Sequence, residues 1–186
     1  MIWLSSSTIA RLRDQLRARG ERPSLVLPDA ANLTPDAAEL LAATTEYGPL
    51  CEAMYLMMSA DGKISHEERS VLRGALRSLS NESLASTYIE AMVDAAAKNV
   101  ALSGREKRLA DVAAQLEDDP QRGEVAFVLA AAVAFADGAI ADEENETLSD
   151  LAEKLGIDEV RVEALLDAVE TDVAERPAST SGVKSR

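Results

Sequence analysis

The chain has 186 residues, enough for one compact domain with short extensions. Its 33 acidic and 19 basic residues give a formal charge of −14, which argues against polyanionic nucleic acid as a partner. One cysteine excludes an internal disulfide, and one histidine excludes a histidine-rich metal site within one chain. Alanine accounts for 33 residues and aromatics for only 3%, a composition that predicts an all-α fold.

Residues 1–22 form a basic arm, with five arginines against two acids, net +3, so the other 164 residues are net −17. A helix is predicted over 8–19, with Ile9, Leu12 and Leu16 on one face and Gly20 at its end. Pro23, Pro28 and Pro35 make 23–35 a linker. Thr34-Pro35-Asp36 then reads as a helix start. Helices follow at about 35–45, 49–59, 66–79, 83–98, 104–117, 120–136, 143–155 and 159–173. Ser65-His66-Glu67-Glu68 and Ser103-Gly104-Arg105-Glu106 read as capping boxes, Asp119 and Asp158 as caps, and Gly156 as a helix stop. The Ser/Thr/Gly-rich tail, 174–186, is expected to be disordered. No signal-peptide pattern opens the chain, and the longest apolar run, 125–136, is too short to span a bilayer, so a cytoplasmic location is expected.

The sequence contains an internal repeat. Ala60-Asp61-Gly62-Lys63-Ile64-Ser65-His66-Glu67-Glu68 recurs 76 residues later as Ala136-Asp137-Gly138-Ala139-Ile140-Ala141-Asp142-Glu143-Glu144. An apolar helix precedes each copy and an amphipathic one follows, which predicts two helix–loop–helix units related by a pseudo-two-fold. The letters match the second half of an EF-hand loop. The first half fails, because Met57, Val133 and Phe135 supply no side-chain oxygen at the early ligand positions.

The duplicated Ala-Asp-Gly-x-Ile-x-x-x-Glu, its flanking helices and the Leu155-Gly156-Ile157 ending resemble the TerB-like family over residues 36–173. That family includes tellurite-resistance protein TerB and modules of J-domain co-chaperones. The resemblance implies a compact all-α bundle of about seven helices and a bacterial role in stress-response or membrane-associated complexes. It also implies a divalent metal at the paired loops, and carboxylate oxygens suit hard cations such as calcium, magnesium or manganese. Carried over by position, the candidate metal ligands are Asp61, Glu67, Glu68, Asp137, Glu143 and Glu144.

Each candidate also has a purely structural use. Asp can fold onto loop N–H groups, Gly permits a positive φ, Glu closes a capping box, and Ile64 and Ile140 are expected to plug their loops into the core. Cys51 reads as a small core residue or as a reactive thiol, and His66 as a solvated residue or a ligand. The Met54–Met58 stretch is expected to pack on Ala130–Ala132 as ordinary core. The basic arm has three candidate resting places: the acidic body itself, a protein partner, or an anionic membrane surface. No nucleophile–base pair or glycine-rich phosphate loop is present, so no catalytic residue is assigned. The reading is a non-enzymatic module that joins a protein complex. Its alternative is a scaffold whose loops are structural and whose arm binds.

Overall fold

A computed structural model describes residues 7–20, 37–136 and 140–165. Residues 1–6, the linker 21–36, the loop residues Asp137, Gly138 and Ala139, and everything after 165 lie outside the described residues, as do the readings made on them. Seven helices are α1 (Ser7–Gly20), α2 (Ala37–Met58), α3 (His66–Leu79), α4 (Ser86–Ser103), α5 (Arg105–Leu116), α6 (Pro120–Ala134) and α7 (Asp142–Lys154). An eighth, α8, is described over 159–165. No strand occurs among the described residues, and the fold is all-α.

The repeat in the sequence is a repeat in the fold. Met58 and Ala134 end the first helix of each unit, and His66 and Asp142 begin the second. Both first helices close with the same turn: Ala60 N–H donates to Met57 O and Ala136 N–H to Val133 O, each at 2.9 Å. The two first helices, α2 and α6, pack on each other at the centre. Met54, Met57 and Met58 lie fully buried with Ala130, Ala131 and Ala132, large side chains filling the space that small ones leave. Phe127, Leu72, Leu76, Leu148 and Leu151 extend this core to the outer helices.

Two helix boundaries differ from the sequence expectation. The predicted break at Gly48-Pro49 is absent, and α2 runs through Pro49 as one 22-residue helix. Proline removes one ladder bond and disturbs the carbonyls a turn earlier. Here the Arg122 guanidinium donates to the Glu46 carbonyl in that turn, and the buried Leu50, Cys51, Ala53 and Met54 anchor the following turns. At Gly104 the expected capping box does not form, because Ser103 is still the last residue of α4. Gly104, at φ 81°, ends α4 and begins α5 without a side-chain cap. The remaining caps are as read. Asp119 Oδ1 accepts from Arg122 N, Asp158 Oδ1 accepts from Arg161 N, and Gly156 at φ 69° ends α7.

α1 lies across α3 and also touches α6. The crossing is close enough to exclude side chains. A β-carbon on Gly74 would stand 1.7 Å from the Leu16 carbonyl oxygen, and one on Gly20 1.7 Å from that of Ser70. Leu16 is buried in the common core, while Arg13 stands over the Phe135 ring at 5.3 Å and donates to its carbonyl.

Candidate functional site

Both repeated loops lead into helices with an acidic first turn, where carboxylates oppose the positive end of the helix dipole. In the first copy Ser65 Oγ accepts from Glu68 N at 3.1 Å, and Glu68 Oε2 accepts from Ser65 N at 2.6 Å, a complete capping box. The second copy keeps half of it. Glu144 Oε2 accepts from Ala141 N at 2.7 Å, and Ala141 has no hydroxyl to return the bond. Asp61 Oδ1 accepts from Lys63 N at 2.8 Å across Gly62, which sits at φ 79°. Glu67 pairs with Arg17 of α1 at 3.1 Å. Glu143 is exposed, and Asp137 lies outside the described residues.

The structure does not gather the five described candidate ligands into one place. Glu67 faces α1 on the outside of the bundle, whereas Asp61 and Glu144 both lie within electrostatic reach of Arg105. No group of three or more His, Cys, Asp or Glu able to hold a metal occurs among the described residues. The charge at the meeting point of the two units is instead the Arg105 guanidinium, which the sequence reading did not single out. It donates to the Ser59 carbonyl at 2.9 Å, to the Leu56 carbonyl, and to Thr147 Oγ1 at 3.2 Å. Thr147 in turn donates to the Glu143 carbonyl at 2.7 Å. Arg105 thus ties the end of α2 to α7. Burial pulls its pKa below the ordinary arginine value, and Asp61 and Glu144 oppose that shift.

A groove of about 260 Å³ opens beside it, lined by Ala60, Leu109, Thr147 and the exposed carboxylates of Glu106, Glu143, Glu146 and Asp150. The same helix, α5, carries a second constellation that the sequence reading did not point to. Arg108 grips the buried Glu52 with both arms, at 2.6 and 2.8 Å, and reaches Asp111 at 2.9 Å. Asn99 donates to the same Glu52 carboxylate, joining α2, α4 and α5. One signal for both constellations was legible. The first turn of α5 holds Arg105, Lys107 and Arg108, where the helix dipole disfavours cations. Cations there imply anionic or carbonyl partners elsewhere in the fold.

Cys51 is 1% exposed and burial pushes its thiol pKa up to about 12, so it is a core residue. His66 is exposed. Ile64 does not plug its loop into the core: it is 37% exposed, and the capping box and the Asp61 turn hold the loop instead. Ile140 does pack against the core. Among the described residues no helix is long and apolar enough to cross a membrane.

The family described as tellurite resistance protein TerB matches residues 50–167, from the middle of α2 through α8. No curated protein and no solved structure matches the chain.

Proposed function

The chain belongs to the TerB family, and from that premise we propose that it is a non-catalytic binding module of a bacterial stress-response complex of the tellurite-resistance kind. The observation that carries this reading is the acidic groove where the two repeat units meet. Glu106, Glu143, Glu146 and Asp150 point outward around Arg105, while the loop carboxylates of Glu68 and Glu144 are spent on helix capping. Exposed carboxylates on a rigid two-helix wall suit a positively charged partner segment, which the body's net negative charge would steer towards it. The test is affinity capture with the wild type and with Glu143→Lys/Glu146→Lys. Proteins held by the wild type and lost from the variant are the expected result. Identical capture by both removes the groove from the reading.

A second reading keeps a divalent cation at the repeated loops. It is favoured by Asp61 and Glu144, which approach the same guanidinium from the two copies. A cation that binds only the folded state raises the unfolding midpoint saturably, worth about 2.7 kcal/mol at a hundredfold excess over Kd. Thermal unfolding in EDTA, then in calcium, magnesium or manganese, measures this. A rise abolished by Asp61→Asn/Asp137→Asn supports the cation. No rise at millimolar concentration leaves the loops as turns and caps.

A further inference from the structure

The α3 face beneath α1 has the features of a helix-binding site. Gly74 admits a helix backbone to direct contact, and Ser70 beside it receives Gly20. At one end Arg77, itself bonded to Ser86 Oγ, donates to the carbonyls of Arg19 at 2.7 Å and Gly20 at 3.4 Å. These are last-turn carbonyls, which a helix cannot satisfy internally. Glu67 meets Arg17, and Glu82 meets Arg19 at 3.6 Å. Asn81 and Glu82 take positive φ values of 50° and 66° in the turn that presents this carboxylate. The face therefore reads three properties of its ligand: a helix end, a residue without a side chain at the crossing, and arginines on the flanks.

The present occupant fits imperfectly. Among the described side chains of α1 only Leu16 is a buried apolar anchor. Ser70 Oγ lies fully buried beneath α1 with no hydrogen-bond partner among the described residues. α1 also lies outside the part of the chain that matches the family, whereas the α3 face lies inside it. Sixteen residues, 21–36, join α1 to α2. Tethering places a segment at an effective concentration on the order of millimolar, which compensates for weak contacts.

We propose that this α3 face is a receptor for a basic amphipathic helix of a protein partner, and that α1 is its resident occupant in cis, displaced when the partner binds. The partner helix carries arginines, ends in a glycine that lies on Ser70, and passes its backbone one turn earlier over Gly74. This surface is separate from the acidic groove between α5 and α7, and the proposal stands or falls independently of it.

The probe is a fluorescent peptide of residues 7–20, titrated into the full-length chain and followed by anisotropy. Gly20→Ala adds a β-carbon against the Ser70 backbone and evicts α1 while leaving the α3 face intact. Gly74→Ala blocks the face itself, and alanine is the better helix former, so α3 persists. Circular dichroism establishes that both variants retain the body's helices. A cis occupant lowers apparent affinity by the fraction of time the face is open. The expected result is peptide binding at least about tenfold tighter to Gly20→Ala than to wild type, and lost in Gly74→Ala. Adding Glu67→Arg to Gly20→Ala should weaken binding, and Arg17→Glu in the peptide should restore it. Equal affinity of wild type and Gly20→Ala overturns the cis occupancy. Undiminished binding to Gly74→Ala overturns the site. A wild-type dimer by light scattering that Gly20→Ala converts to monomer overturns the cis arrangement too, since α1 would then be exchanged between copies.

Discussion

Arg105, Glu52 and Arg108 show how single polar side chains hold this bundle together. The Arg105 guanidinium serves carbonyls at the end of α2, where the helix itself can offer no donor, and a hydroxyl on α7. Replacing it by methionine keeps much of the volume and removes the charged donor, leaving the Leu56 and Ser59 carbonyls with the longer bonds from Ser59 Oγ at 3.4 Å and Gly62 N at 3.3 Å. Hydrogen bonds to charged groups contribute about 1.5–3 kcal/mol each, so Arg105→Met should cost at least about 2 kcal/mol in urea unfolding. Glu52 is buried and held by both arms of Arg108. Glu52→Ala leaves Arg108 with Asp111 and takes the acceptor from Asn99, and should cost roughly 3 kcal/mol, whereas a double change to apolar residues should cost less. The Cys51 thiol should resist thiol reagents at pH 8 in the native state and react when denaturant is added. Its folded pKa of about 12 is above the unfolded value. The stability it contributes is therefore complete below about pH 8.5 and lost as pH rises towards 12.

At the scale of elements, the two repeat units are a natural comparison. Ser65 and Ala141 occupy the same position with the same backbone, φ −80°, ψ 165° against φ −70°, ψ 157°. Both are followed three residues later by a glutamate that bonds back to their N–H. Only Ser65 returns a side-chain bond. Ser65→Ala should thus lower stability by about 1 kcal/mol, and Ala141→Ser should raise it by up to about the same amount. Thermal unfolding of the two single variants and their combination measures both. Opposite signs would establish the second unit as an uncapped copy of the first. Equal losses would mean that the Ala141 position cannot accept a hydroxyl.

Over the whole molecule, a formal charge of −14 sets the response to salt and acid. Self-repulsion among the acids destabilises the compact state and is screened by salt, so the unfolding midpoint should rise between 10 and 150 mM NaCl. Acid acts in the opposite direction through particular groups. The Glu124 carboxyl, held by both arms of Arg161, and Asp111, held by Lys107 and Arg108, lie below the ordinary carboxylate pKa. A depressed folded pKa contributes stability that is present above the unfolded value, near pH 4, and lost as pH falls further. Stability should therefore fall below about pH 4.5. Glu124→Gln should flatten part of that slope, which urea titrations at pH 3–6 would reveal.

The sequence by itself determined what repeats and caps can carry. The 76-residue offset reappears in the ends of α2 and α6 and the starts of α3 and α7, because local caps and apolar periodicity fix helices without reference to distant partners. The family resemblance and the all-α class rest on the same local signals. The candidate ligands were legible as acids, but their placement was not. Whether Asp61 lies near Glu144 depends on how two units pack, and the residue that answers it, Arg105, belongs to neither. Gly74 shows the same limit. In the sequence it is a glycine within a helix, a weak point by propensity. Only the crossing of α1 gives it a purpose, since the cost of a side chain there is set by a backbone more than 50 residues away. Pro49 completes the pattern: its local preference to break the helix yields to the buried side chains that follow it, because burial of several apolar groups outweighs one lost ladder bond.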